Sequence, residues 1–176
     1  MKIIGITYLT GREEMILKND SSMLTNRKPL FVPDDTVQLG GTMCLVLRVS
    51  RLGKAIEPRY AERYYDAVAV GMDFVKMDML QQAISAGHSW VPAYAFDGSI
   101  AIGEWLAPER LSDVIAAMGE PVCSVQDAIA RLSEQMTIRQ GDLIYITAKV
   151  QPRTVERGTT VSIPIEGEEK LFCRIK

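Results

Sequence analysis

Asp73 follows the apolar run Ala67-Val68-Ala69-Val70-Gly71-Met72 and precedes Phe74, a setting in which a carboxylate beside a core binds a divalent metal or acts as a base. A carboxylate there can equally satisfy the amides of a turn or a helix start. Asp78, Asp97 and Glu104 lie near it in sequence, but no pair among them has the spacing of a metal cage. His88 sits in Gly87-His88-Ser89-Trp90-Val91-Pro92, a loop-like segment whose side chains could line a pocket. A histidine beside a serine, with no carboxylate assignable by spacing, is a weak nucleophilic signal that competes with ordinary loop packing. Cys44 falls within the strongest strand-like run and reads as a buried thiol. Trp90, Tyr94, Phe96 and Trp105 either wall a pocket or fill a core.

Composition narrows the chemistry further. The 176 residues carry 20 basic and 22 acidic side chains, so no global charge excess favours a nucleic-acid backbone or an anionic membrane. Lys54 and Arg59 are scattered charges, and no glycine motif with a phosphate-binding lysine is present. A single histidine excludes a His-x-x-x-His zinc site within one copy, and three widely spaced cysteines propose neither a disulfide framework nor a zinc knuckle. No window approaches eighteen uncharged apolar residues, and the first five residues are too short for a signal-peptide core. The expectation is a soluble, cytoplasmic protein.

These residues need elements to position them. Lys2 to Tyr8 carries the branched residues of a strand, Gly11 to Lys28 is polar enough to be mostly surface, and Thr42 to Val49 is a strand covered on most of both faces. A short helix is expected over Tyr60 to Tyr65, then a strand or buried segment over Ala67 to Met72, then a helix from Val75 to Ala86 closed by Gly87. Pro108 to Met118 and Val125 to Met136 show helical periodicity, the second begun by Ser124 with Asp127 three residues on. Strands should occupy Asp142 to Lys149, Thr160 to Ile165 and Leu171 to Ile175, with a turn at Glu166-Gly167-Glu168. No linker or repeat divides the chain, so residues 1–176 are expected to form one strand-rich domain.

Several segments carry a resemblance: Gly5-Ile6-Thr7-Tyr8-Leu9-Thr10-Gly11 with Arg12-Glu13-Glu14, Gly71-Met72-Asp73-Phe74-Val75-Lys76-Met77-Asp78, Trp90 through Ala95-Phe96-Asp97-Gly98-Ser99, Ile102-Gly103-Glu104-Trp105, and Gly141-Asp142-Leu143-Ile144. Leu132-Ser133 and Met136-Thr137-Ile138 extend the pattern, while the stretch between Trp105 and Gln126 is shorter than usual. Together they resemble the fumarylacetoacetate hydrolase family of hydrolases, decarboxylases and isomerases of small oxo-acids. The resemblance implies a mixed α/β fold around a curled sheet, assembled as a homodimer. It also implies a site at which two glutamates one residue apart join the central aspartate to hold Mg²⁺ or a similar ion.

The chemical positions of that pattern are the ones that differ. Thr42 and Cys44 stand at the glutamate positions, leaving Asp73 as the metal candidate, and a carboxylate, a hydroxyl and a thiol suit Mg²⁺ poorly. Gly11 corresponds to the family histidine, Met77, beside Lys76, to its arginine, and Tyr94 to its lysine, while Thr147-Ala148-Lys149 replaces its glycine-threonine-proline segment. The economical expectation is a scaffold that has lost the usual chemistry, needs no cofactor and binds a small carboxylate or serves as a scaffold. In the active alternative, a divergent enzyme of a small 2-oxo acid would use Mg²⁺ or Mn²⁺. Its catalytic set would be Asp73, His88, Tyr94 and Lys76, with Tyr8, Phe74, Asp97 and Thr147 binding substrate. A homodimeric interaction protein without a ligand pocket is the third reading.

Overall fold

The computed structural model describes residues 1–176. In chain order its strands are β1 (Ile3–Leu9), β2 (Arg12–Lys18), β3 (Met23–Thr25), β4 (Leu39–Val49), β5 (Tyr65–Lys76), β6 (Ile100–Ile102), β7 (Leu143–Thr147), β8 (Arg153–Thr154), β9 (Thr160–Ile165) and β10 (Glu168–Arg174). The helices are α1 (Met77–Ala86), α2 (Val91–Tyr94), α3 (Leu111–Met118) and α4 (Val125–Gln135). Eight strands form one sheet along the path β2-β1-β7-β4-β5-β6-β3, with β8 beside β4, and β9 and β10 make a separate hairpin.

Chain connectivity forces that sheet to curl. β2 and β3 lie at opposite ends of the path, yet only residues 19–22 separate them. So short a connection spans at most roughly 18 Å, whereas flat strands about 4.8 Å apart would hold the two ends roughly 29 Å apart. The sheet therefore bends toward closure, and β2 and β3 approach without pairing.

Side-chain alternation divides the strands between two cores. One face presents Ile4 and Ile6 of β1, Leu45 and Leu47 of β4, Val70 and Phe74 of β5, and Ile144 and Ile146 of β7 to the larger core, which α3, α4 and the β9–β10 hairpin cover. The other face lines the inside of the curl with Ile3, Cys44, Val46, Ala69, Val75 and Tyr145, closed by Leu80 of α1 and Ala93 of α2. Gly5 makes this interior possible, since a Cβ there would lie 2.1 Å from the Tyr145 ring.

Most expected elements are present, with three instructive differences. The polar stretch after Gly11 contains β2 and β3, and its Lys18 is fully buried. β5 runs through Val75 and Lys76 because Leu39 and Gly40 of β4 continue to pair with them, so α1 begins only at Met77. The helix expected from Pro108 starts as a single 3₁₀ turn over Pro108–Arg110 before α3. Gly87 ends α1 in the left-handed conformation at φ 67°, and Ser124 caps α4 by accepting from the Asp127 amide, both as the sequence indicates.

Candidate functional site

Register brings the central residues together. Thr42 lies opposite Asp73 across the β4–β5 ladder and Cys44 lies opposite Gly71, so all three side chains share the inner face. Gly71 allows this closeness, because a Cβ there would meet Cys44 Sγ at 2.9 Å. Thr7 of β1 and Tyr145 and Thr147 of β7 point into the same interior, all of them buried. The Thr147 hydroxyl accepts from the Tyr8 amide at 3.0 Å and donates toward Thr7 Oγ1 at 3.4 Å.

The dominant feature is one that composition gives no hint of. Lys18, at the end of β2, extends its side chain across the interior and places Nζ 2.6 Å from Asp73 Oδ1. The same ammonium donates to the Ser99 carbonyl and to Ser99 Oγ, each at 3.0 Å. Its side chain is 0% exposed and that of Asp73 is 9% exposed. Oδ1 has no aligned hydrogen-bond donor, so its contact with Lys18 is an ion pair by distance. The Tyr145 hydroxyl, also buried, has no partner.

Low polarity around the cluster sets its ionisation. Burial pushes the Asp73 carboxyl above its ordinary value, against the opposing pull of Lys18 and Thr7. Burial pushes the Lys18 ammonium down, with Asp73 opposing. The Cys44 thiol and the Tyr145 phenol are both held well up, first by burial and then by the nearby Asp73 charge. Neither supplies an anionic ligand at neutral pH.

A divalent ion does not fit this set. Asp73 is the one carboxylate on hand, its neighbours are a hydroxyl and a protonated thiol, and an ammonium already lies against its Oδ1. Mg²⁺ and Mn²⁺ need several hard oxygen ligands, and a second cation beside Lys18 would be repelled.

The remaining candidates divide by location. Tyr94, the last residue of α2, packs with Trp90 against the inner core. Lys76 faces the opposite side of β5 from Asp73, binding Asp35 at 2.7 and 2.8 Å with its Nζ 5.1 Å from the Phe96 ring centre. Phe74 is buried in the larger core, and the Tyr8 ring packs there too. Asp97 is exposed and accepts from Ser21 at 2.6 Å. His88 is exposed in a surface groove of about 380 Å³ beside Met79, Ala83 and Pro92, with no carboxylate in the lining. Thus Asp73, Thr42, Cys44, Thr147 and Tyr94 gather, while His88, Lys76, Phe74, Asp97 and the Tyr8 ring do not. The aromatic residues form no single wall, since Trp105 lies outside against Arg48. The residues that sequence reasoning missed are Lys18, Ser99 and Tyr145. The only local sign of Lys18 was its even spacing from Ile16 on a strand whose odd positions face water.

Comparison with known proteins agrees with this architecture. The family described as fumarylacetoacetate (FAA) hydrolase C-terminal matches residues 8–119, more than half of the chain. No curated relative matches the sequence. Among solved structures, a Yersinia pestis protein assigned to the fumarylacetoacetate hydrolase family is similar at TM-score 0.84 and 18% identity, over 99% of this chain and 92% of that one. Fumarylpyruvate hydrolase from Pseudomonas aeruginosa, in complex with Mn²⁺ and pyruvate, is similar at TM-score 0.80 and 19% identity, over 99% and 88%. The 5-carboxymethyl-2-hydroxymuconate delta-isomerase of Mycobacterium smegmatis is similar at TM-score 0.78 and 18% identity, over 99% and 78%.

Proposed function

This chain belongs to the fumarylacetoacetate hydrolase family, and from that premise we propose that it keeps the fold without metal-dependent oxo-acid chemistry, acting as a homodimeric scaffold. The observation that carries this reading is the buried Lys18–Asp73 contact at 2.6 Å, which uses up the one carboxylate a metal would need. Metal catalysis polarises a carbonyl through an open coordination position, and the donors around Asp73 offer no such set. Proton abstraction would need a base facing substrate, and Asp73 faces Lys18 inside a packed core.

The clustering of perturbed groups favours a second reading. Lys18 lowered, Asp73 raised and Tyr145 unpartnered form the kind of set that acid–base enzymes use, so a metal-independent reaction on a small 2-oxo acid is the alternative. It requires α2, with Trp90 and Tyr94, to move off the inner core and admit substrate.

One experiment separates these readings: the purified protein is titrated with Mn²⁺ by calorimetry and assayed on fumarylpyruvate with and without the metal. The scaffold reading expects no stoichiometric Mn²⁺ binding and no turnover. Metal-independent turnover that disappears in Asp73→Asn would establish the second reading instead. Tight Mn²⁺ binding with metal-dependent turnover would overturn both.

A further inference from the structure

We propose that the Lys18 ammonium is a built-in cation that takes the place of a bound metal ion, tying the two sides of the curled sheet together around Asp73. This deepens the reading of the site as metal-free and rests on it. Lys18 belongs to β2, at one end of the sheet path, whereas Asp73 belongs to β5 and Ser99 precedes β6 near the other end. The side chain therefore bridges the inside of the curl, between strands also held near each other by the short connection at residues 19–22 and by the inner core they share through Ile16, Val75, Ile100 and Ile102.

Two hydrogen bonds and one ion pair hold the ammonium. An ammonium has three N–H donors and no acceptor, and the structure supplies three oxygen neighbours: Ser99 O, Ser99 Oγ and Asp73 Oδ1. A lysine free to choose would send its charge to water along its flexible stem, yet Lys18 is fully buried. Burial of such a charge is tolerated only when it is paired and hydrogen-bonded, and each partner here leaves the other uncompensated if removed. Three oxygen neighbours from two separate segments around one positive centre describe the job a structural cation does. Here the centre is covalently part of the chain, so no metal from solution is required to hold β2 against β5 and β6.

The test is a double-mutant cycle with Lys18→Met, Asp73→Val and the two combined, followed by thermal melting, alongside wild-type melting with Mn²⁺ and with a chelator. Each single change should lower the melting temperature by about 10 °C, since each strands a buried polar partner. The double variant should lose much less than the sum of the singles, and wild-type melting should respond to neither Mn²⁺ nor chelator. If neither single variant folds, a folded double variant supports the same pairing. Additive single losses, or a wild-type melting temperature that falls with chelator, would overturn the inference. Additive losses together with absent turnover would overturn it while leaving the scaffold reading in place, whereas wild-type turnover would overturn the scaffold reading whatever the cycle gives.

Discussion

Asp73 and Asp142 are both buried carboxylates paired with a lysine, and their ionisation moves in opposite directions. Their side chains are 9% and 6% exposed, so burial alone does not distinguish them. At Asp142 burial pushes the carboxyl up, but the Lys2 side chain and the amides of Lys2 and Arg139 together hold it below its ordinary value. At Asp73 burial wins, outweighing the pull of Lys18 and Thr7, and no backbone amide adds to that pull. Asp142 pins the start of β1 to the 139–142 turn, and its lysine is 26% exposed against 0% for Lys18. The contrast separates a carboxylate held by backbone amides from one held by side chains, chiefly an internal cation.

Removing each carboxylate should widen that contrast most. Asp73→Val leaves the Lys18 charge buried without its partner and should cost about 3–5 kcal/mol. Asp142→Asn retains an oxygen for one of the two amides and leaves Lys2 able to turn toward water, for a loss of about 1–2 kcal/mol. Urea denaturation of the two variants checks this, and equal losses would erase the distinction.

The pH dependence should differ in sign. The folded value of Asp142 is depressed, so its contribution is present above the ordinary 3.8 and is lost as pH falls through the lower folded value. The folded value of Asp73 is raised, so its contribution is present below 3.8 and is lost as pH rises through the higher folded value. Melting temperatures measured across acid pH should therefore show Asp142→Asn flattening the fall below 3.8 and Asp73→Asn flattening the decline above it. The same effect in both variants would contradict the assignment.

Smaller effects sharpen the boundaries of the cluster. Tyr145→Phe deletes an unpartnered hydroxyl while keeping the ring that fills the space over Gly5, so stability should change by less than about 1 kcal/mol, toward gain. A larger loss would reveal that the hydroxyl bonds something. His88→Ala removes an exposed side chain and should stay within about 0.5 kcal/mol in the same denaturation assay.

The parts of the molecule visible in sequence are those set by local signals. Branched residues mark β1 and β4, and Ser124 with the stripe Ile129, Leu132 and Met136 marks α4. The family-like segments located Asp73, Thr42 and Cys44, and the ladder register does bring them onto one face. Lys18 could not be read this way, because its burial is decided by Asp73 and Ser99, 55 and 81 positions later, after the sheet has curled. Lys76 failed as a neighbour of Asp73 for a simpler reason. Treating Val75 onward as helix hid the alternation of β5, which sends consecutive residues to opposite faces. His88 drew notice as the only imidazole, but scarcity carries no information about position.

In the proposed site Lys18, and no metal, neutralises Asp73. Crystals grown with Mn²⁺ and pyruvate, with diffraction recorded for the anomalous signal of manganese, test it directly. No manganese peak should appear at Asp73, and the Lys18 ammonium should contact Asp73 Oδ1 and Ser99. A manganese ion bound to Asp73, with the Lys18 side chain displaced, would contradict it.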